Sequence, residues 1–387
     1  MRIIHLMGFE KYDVHQKEFM YGNTRLYSLN KKLAPSDYDE IENINEYLFY
    51  NGVILHDSNL DQMEVHYFKE SRVFHLSNNG ASTTLFYLTY NSEYTSVSCY
   101  KLNCLEQKSY FVSTLNLETE SGEDPSISIN VIRFIGINDR YAYISYSHPN
   151  SRFLHSYIID SLTGEWIAID DNPLLNSVES MIILNYLNTK KILIKTGQYT
   201  ENEKKRAYEM NEKADEHIIL IEVDEFICGI LNKNLNLELY IVLSASHNEA
   251  IELYKNDKDF IVQINNFVDG NTKLETYNIH GIKVGSAFFP QLYQSVFFIE
   301  NTIYATVRTK RSTKIYDLRT GLNIFEIMPP DTLYGFCENA IITQSFNAEG
   351  DLRICQTSGS HSETLVEGNC LIDQERELII VINREEP

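Results

Sequence analysis

Most of this chain alternates apolar and polar residues in short runs of roughly 5–7 positions, with turn signals every ~8–14 residues. Thr84–Tyr90, Val97–Leu102, Ser109–Leu115, Tyr141–Tyr146, Phe260–Asn265 and Ile303–Arg308 are typical runs. Tyr21-Gly22-Asn23, Asn138-Asp139-Arg140 and Asp269-Gly270-Asn271 mark reversals between them. Asn51-Gly52 inside Glu46–His56 predicts a further hairpin, because both residues of that pair tolerate φ > 0. Strands are also expected at His217–Val223 and Phe226–Leu231. No 12-residue helical pattern separates successive strands, which excludes Rossmann and TIM-barrel alternation.

One strand–turn–strand unit occurs twice. Lys314–Ile327 reads KIYDLRTGLNIFEI, and Tyr157–Ile169 reads YIIDSLTGEWIAI. Asp160 matches Asp317, Thr163 matches Thr320 and Gly164 matches Gly321. An Asp at the start of a turn accepts backbone N–H groups two residues on, and a Gly at its end supplies φ > 0. These six residues are therefore assigned to holding turns.

Equivalent outer-hairpin turns are placed near Asn103, Asp160, Glu222, Asn278, Asp317 and Gln356, and the last two steps are 39 residues each. That spacing matches the ~40–45 residues of a four-stranded propeller blade. The expectation is an all-β fold, a β-propeller of about seven four-stranded blades, with six or eight open and a double sandwich as runner-up. Residues 1–387 are expected to form a single domain in which N- and C-terminal strands share a blade, since an open ring leaves exposed edges.

The Ile315–Gly321 stretch resembles the outer hairpin of a WD40 blade, with Tyr316-Asp317 where that family often has Trp-Asp. Tyr157–Ile169 is similar to the Asp-x-x-Thr-Gly turn of quinoprotein-like propeller repeats, although Trp166 lies closer to the Gly than that family's Trp. The Gly-His dipeptide typical of WD40 repeats is absent. The resemblance implies a propeller and, more loosely, a protein-interaction platform. It carries over no functional residue.

Gly197–Glu216, GQYTENEKKRAYEMNEKADE, breaks the rhythm. Thr200 and Glu203 resemble a capping box, so a surface helix or mobile insertion between two strands of one repeat is expected. Its Lys204, Lys205 and Arg206, with Tyr208 beside them, are the candidate partner contact. The bland alternative is a solvated helix face with pairs such as Glu201 and Lys205.

Charge narrows the partners. The chain has 54 acidic and 33 basic side chains, a net charge of −21. That disfavours nucleic acid and anionic membranes, both of which need Lys and Arg, and leaves a basic protein open. The 26 Tyr and 19 Phe against one Trp suit half-buried sheets. The six cysteines form no Cys-x-x-Cys pair. With no secretory signal and no apolar run of membrane length, a cytoplasmic protein with reduced thiols is expected.

Catalytic signatures are weak. No His-x-x-x-His, nucleophile elbow or phosphate-cradling glycine loop occurs. His148-Pro149-Asn150 reads as a turn, and Ser358–Ser362 sets Ser beside His in sequence, whereas triads are built from spatial neighbours. Carboxylates such as Asp170-Asp171, Glu225, Asp257 and Asp259 are abundant without a defining spacing. The reading is a non-catalytic, monomeric protein-interaction module, scaffold or adaptor, with no cofactor and no metal. The alternative is a propeller hydrolase or carbohydrate-binding protein using carboxylates and tyrosines at the central channel.

Overall fold

The computed structural model describes residues 2–6, 12–21, 24–31, 49–56, 63–77, 84–93, 95–117, 130–147, 154–169, 174–175, 178–186, 189–198, 215–246, 248–256, 259–299, 302–337, 340–344, 352–356, 363–366, 369–373 and 378–382. Contacts divide the chain into two compact units. One comprises Glu18–Arg25 with Leu55–Pro290, the other Met1–Lys17, Leu26–Ile54 and Gln291–Pro387.

The first unit holds successive antiparallel meanders. Val73–Ser77, Thr84–Tyr90, Ser96–Asn103 and Lys108–Asn116, sheet 73–116 below, are the last four strands of an eight-stranded sheet. Sheet 130–168 contains Asn130–Gly136, Tyr141–Ser147, Leu154–Asp160 and Glu165–Ala168. Sheet 178–245 contains Val178–Tyr186, Thr189–Gln198, Asp215–Glu222 and Ile241–Ala245. Sheet 249–289 contains Glu249–Asn256, Asp259–Asn266, Asn271–Asn278 and Lys283–Phe289.

The second unit repeats the pattern. Ser295–Ile299, Thr302–Arg308, Thr313–Asp317 and Leu322–Ile327 form one meander, and Thr332–Cys337, Ala340–Gln344, Leu352–Gln356 and Glu363–Val366 the next. Arg2–Leu6 runs parallel to Leu378–Ile382, which is antiparallel to Asn369–Asp373. Consecutive four-stranded meanders are propeller blades. The chain is an all-β protein of the β-propeller class, and the described strands fall into seven sheets.

Apolar layers bind neighbouring blades within each unit. Phe86, Leu88 and Val97 meet Ala142, Ile144 and Ile159 between the first two sheets. Ile158 and Tyr143 meet Ile192, Ile194 and Ile219 in the next layer. Leu193 and Ile218 meet Phe260 and Val262 beyond that. In the second unit Ile315 and Ile327 pack with Phe336 and Ile341. A strand between two layers must be apolar on both faces, so its residues form a near-continuous apolar run instead of alternating. Thr84–Tyr90 accordingly is buried at all but its last residue. Fourth strands are the exposed ones: Lys283–Phe289 and Leu322–Ile327 are mostly solvent-facing.

Two local expectations are corrected. Phe226–Leu231 is not a strand but part of the helix Val223–Leu231. Val223, Phe226, Ile227 and Ile230 are buried on one face at helical spacing, against the layer that holds Ile192 and Ile219. The connection after Glu222 is therefore this helix and the 3-10 turn Leu237–Tyr240 rather than a tight hairpin. Asn51-Gly52 makes no hairpin either, because Tyr50–His56 is one continuous strand. Val53, Ile54 and Leu55 are consecutive buried residues, and two-sided burial outweighs a local turn preference.

Beta-bulges recur at equivalent places. In fourth strands the register skips Val112, Val242, Val284 and Ile324. In first strands it skips Phe74, Ile132, Glu179 and Tyr334. Each bulge raises the local twist and re-aims a side chain.

Candidate functional site

The matched turns are built alike. Gly164 N–H donates to the Asp160 carbonyl at 2.7 Å, and Gly321 N–H to the Asp317 carbonyl at 2.8 Å. Both glycines have positive φ, +73° and +70°. Asp160 Oδ1 accepts Leu162 N–H, and Asp317 Oδ1 accepts Arg319 N–H. Thr163 Oγ1 takes the Glu165 N–H, as Thr320 Oγ1 takes that of Leu322. Asn103 and Asn278 stand at the same position in their own blades and accept N–H groups the same way. Arg140 adds a bidentate pair to Asp160, at 2.8 and 2.5 Å. The oxygens of Asp160 are thus consumed locally, and Arg140 holds its carboxyl below the usual carboxylate range.

Lys204, Lys205, Arg206 and Tyr208 lie outside the described residues, as do Asp170, Asp171, Asp257, His148 and Ser358–Ser362. Gly197 and Gln198 end one strand and Asp215 and Glu216 begin the next, paired as Gly197↔Glu216 and Gln198↔Asp215. The boundaries predicted for the insertion are therefore rungs of a ladder. Glu225 accepts the Tyr240 hydroxyl on the helix surface, and Asp259 opens a strand. Those two carboxylates are not brought together. Among the described residues no group of three or more His, Cys, Asp or Glu side chains has metal-holding geometry, and no helix is long and apolar enough to cross a membrane. Burial raises the thiol pKa of Cys99 and of Cys104, the latter to about 12.

Three carboxylates do converge, around Lys195. Its Nζ is 2.8 Å from Glu179, 3.7 Å from Glu216 and 3.9 Å from Glu252. Glu179 is the bulged residue of its strand. Glu216 is buried, and its Oε2 also accepts the Ile251 N–H of the next sheet at 2.8 Å. Burial pulls the Lys195 pKa down, the glutamates push it up, and the net shift is upward. This ammonium is a poor proton donor or nucleophile at neutral pH and a good inter-blade tie.

An open cleft of about 470 Å³ lies between sheets 73–116 and 130–168. Tyr110, Phe111 and Val112 of one fourth strand line it, with Thr84, Lys101 and Asn103 beside them. Asp139 and Ser161 close it from the neighbouring blade. Phe111 is 60% and Tyr110 42% exposed. Lys101 Nζ donates to the Asp139 carbonyl, and Thr84 Oγ1 to the Asp139 carboxylate at 3.4 Å. No sequence spacing announced this grouping. The only signals were the unusual Tyr-Phe pair at the start of a fourth strand and the turn residue Asn103.

A third surface is the outer edge of sheet 249–289. Ile282, Val284 and Phe288 are each well over half exposed. Among the described residues Lys283–Phe289 pairs only with Asn271–Asn278, so its other edge carries backbone groups unmatched by a strand.

No protein-family model and no curated protein matches the chain. Solved structures do. A prolyl endopeptidase is similar over 92% of this chain and 50% of its own, with a TM-score of 0.52 and 8% identity. Oligopeptidase B from Leishmania major is similar over 92% of this chain and 48% of its own, with a TM-score of 0.51 and 11% identity. The chain thus spans about half the length of these two peptidases. The β-propeller domain of the Trilobed protease from Pyrococcus furiosus matches over 91% of this chain and 97% of its own, at a TM-score of 0.46 and 10% identity. At such identities the likeness to the two peptidases concerns fold alone.

Proposed function

We propose that the chain is a non-catalytic protein-interaction module, a cytoplasmic scaffold or adaptor built on degenerate WD40-like blades. The carrying observation is the outer strand Lys283–Phe289, which presents Val284 and Phe288 beside an edge unmatched by any described strand. Natural edges are usually shortened or charged to prevent pairing. This one is seven residues long, with Lys283 its sole charged residue. Its occupant is an extended segment of another protein, adding a strand and seating alternate apolar side chains. The net charge of −21 favours a basic segment. Lys204, Lys205, Arg206 and Tyr208 form a second contact, for an acidic region of the same partner. The module itself is monomeric and uses no cofactor.

The test is affinity capture from the native host, followed by binding of the purified partner to wild type and to a Val284→Glu/Phe288→Glu variant. The reading expects a direct partner whose affinity falls at least about tenfold in the variant. Equal binding by both proteins, or turnover of a small molecule with no protein partner, would overturn it.

A further inference from the structure

We propose that the turn joining Thr302–Arg308 to Thr313–Asp317 binds an acidic segment of a protein partner. Its sequence, Arg308-Thr309-Lys310-Arg311-Ser312-Thr313-Lys314, places four cations and no acid in seven residues. The chain as a whole has a net charge of −21, so the turn is a local reversal of sign. Arg308, Lys310 and Arg311 are exposed, and Lys314 is half-buried. Among the described residues none of the four forms an ion pair. Lys195, Lys273, Lys283 and Arg319, by contrast, each lie beside a carboxylate.

The backbone holds these charges in place. Thr309 N–H donates to the Ser312 carbonyl at 2.8 Å, and Thr309 Oγ1 accepts the N–H groups of Arg311 and Ser312 at 3.2 and 3.0 Å. Ser312 Oγ donates to Glu326 on the adjacent strand. A partner therefore meets a turn that is already ordered, which lowers the entropic cost of binding. Arg308 pairs with Thr313 and Lys314 with Val307, so these two flank opposite faces of the hairpin, with Lys310 and Arg311 at its tip. Glu326 lies opposite Lys314 in the ladder, which centres the contact on Lys310, Arg311 and the Arg308 flank. Met328, one residue past the Ile327 rung opposite Thr313, is 57% exposed and offers an apolar contact beside the tip. Glu326 and Asp331 are the acids of strand Leu322–Ile327 and of the connection after it, so the cations remain in excess.

Carboxylates fit this surface. The guanidinium groups of Arg308 and Arg311 can each take a carboxylate through two N–H groups, and Lys310 adds an ammonium. A nucleic-acid duplex or an anionic bilayer carries phosphates over a far larger area and would meet the acidic remainder of the chain. A short acidic segment touches the turn alone. The turn and the 283–289 edge share no residue, so this inference stands independently of the reading of that edge.

The test is fluorescence anisotropy of fluorescein-labelled octaglutamate titrated with the purified chain. Octaglutamine, a DNA duplex and phosphatidylserine vesicles are separate probes. Octaglutamate should bind saturably, and weaken as salt rises from about 0.1 M to about 1 M, where the screening length falls from ~10 Å to ~3 Å. Lys310→Glu/Arg311→Glu should weaken it at least about tenfold, and Lys310→Gln/Arg311→Gln in the same direction. Lys190→Glu/Lys233→Glu makes the same change in net charge at exposed lysines elsewhere and should stay within about twofold of wild type, as should Val284→Glu/Phe288→Glu. Circular dichroism serves as the folding control. No saturable binding of octaglutamate, equal binding of octaglutamine, an equal loss in the two Glu-substituted cation pairs, or tighter binding of duplex or vesicles would each overturn the proposal.

Discussion

Glu216, in the third strand of sheet 178–245, accepts the N–H of Ile251, in the first strand of sheet 249–289, at 2.8 Å. The same device crosses two other blade boundaries. Ser77 Oγ accepts the Gly136 N–H at 2.8 Å, and Arg133 Nε donates to the Val178 carbonyl at 2.8 Å. Each time a side chain satisfies a backbone group on the first strand of the following blade, where no ladder partner is available on that side.

Removing that acceptor should be costly. Glu216→Ala leaves the Ile251 N–H buried without its partner and takes one of three carboxylates from Lys195. A loss of about 1–3 kcal/mol is expected. Glu216→Gln, which keeps an oxygen acceptor, should lose less. Urea-unfolding midpoints measure this, and equal midpoints for wild type and Glu216→Ala would contradict the role assigned to Glu216.

The Lys195 cluster predicts behaviour at high pH. The folded-state pKa is raised, so its contribution is complete below the unfolded value of about 10.4 and disappears as pH rises through the folded value. Lys195→Met should lessen the alkaline loss of stability, read as thermal midpoints across that range.

Asp160 predicts the opposite limb. Hydrogen bonds from Arg140 lower its pKa, against the effect of burial. The stabilisation is complete above the unfolded value of about 3.9 and is lost as pH falls through the folded value. Arg140→Gln should be less stable than wild type at neutral pH, and the gap should close on acidification. A gap independent of pH would refute the assignment.

Gly164 and Gly321 separate backbone strain from crowding. A Cβ at Gly321 meets nothing within 4 Å, so Gly321→Ala carries only the left-handed strain of about 1–2 kcal/mol. A Cβ at Gly164 would stand 3.1 Å from the Val112 carbonyl and 3.6 Å from Ser113 Cβ. Gly164→Ala should therefore lower the thermal midpoint more than Gly321→Ala.

The helix Val223–Leu231 was encoded by Val223, Phe226, Ile227 and Ile230, but the six-residue run Phe226–Leu231 reads as strand when strands surround it. Asn51-Gly52 failed for the converse reason, a strong local signal overridden by burial of Val53, Ile54 and Leu55. The cleft was illegible because Asn103 and Asp139 come from different blades, and the Lys195 cluster because Glu179, Glu216 and Glu252 are far apart in sequence.

By itself the sequence determined the all-β class and the blade rhythm, since period-two alternation and turn residues act over a few positions and need no knowledge of neighbours. Only tertiary structure decided which blades exchange polar groups, where bulges turn Glu179 toward Lys195, and that Lys101 and Tyr110 line a cleft with Asp139 of the next blade. Those relationships depend on the angle and spacing between sheets. Packing of whole apolar layers sets that geometry, and no local pattern records it.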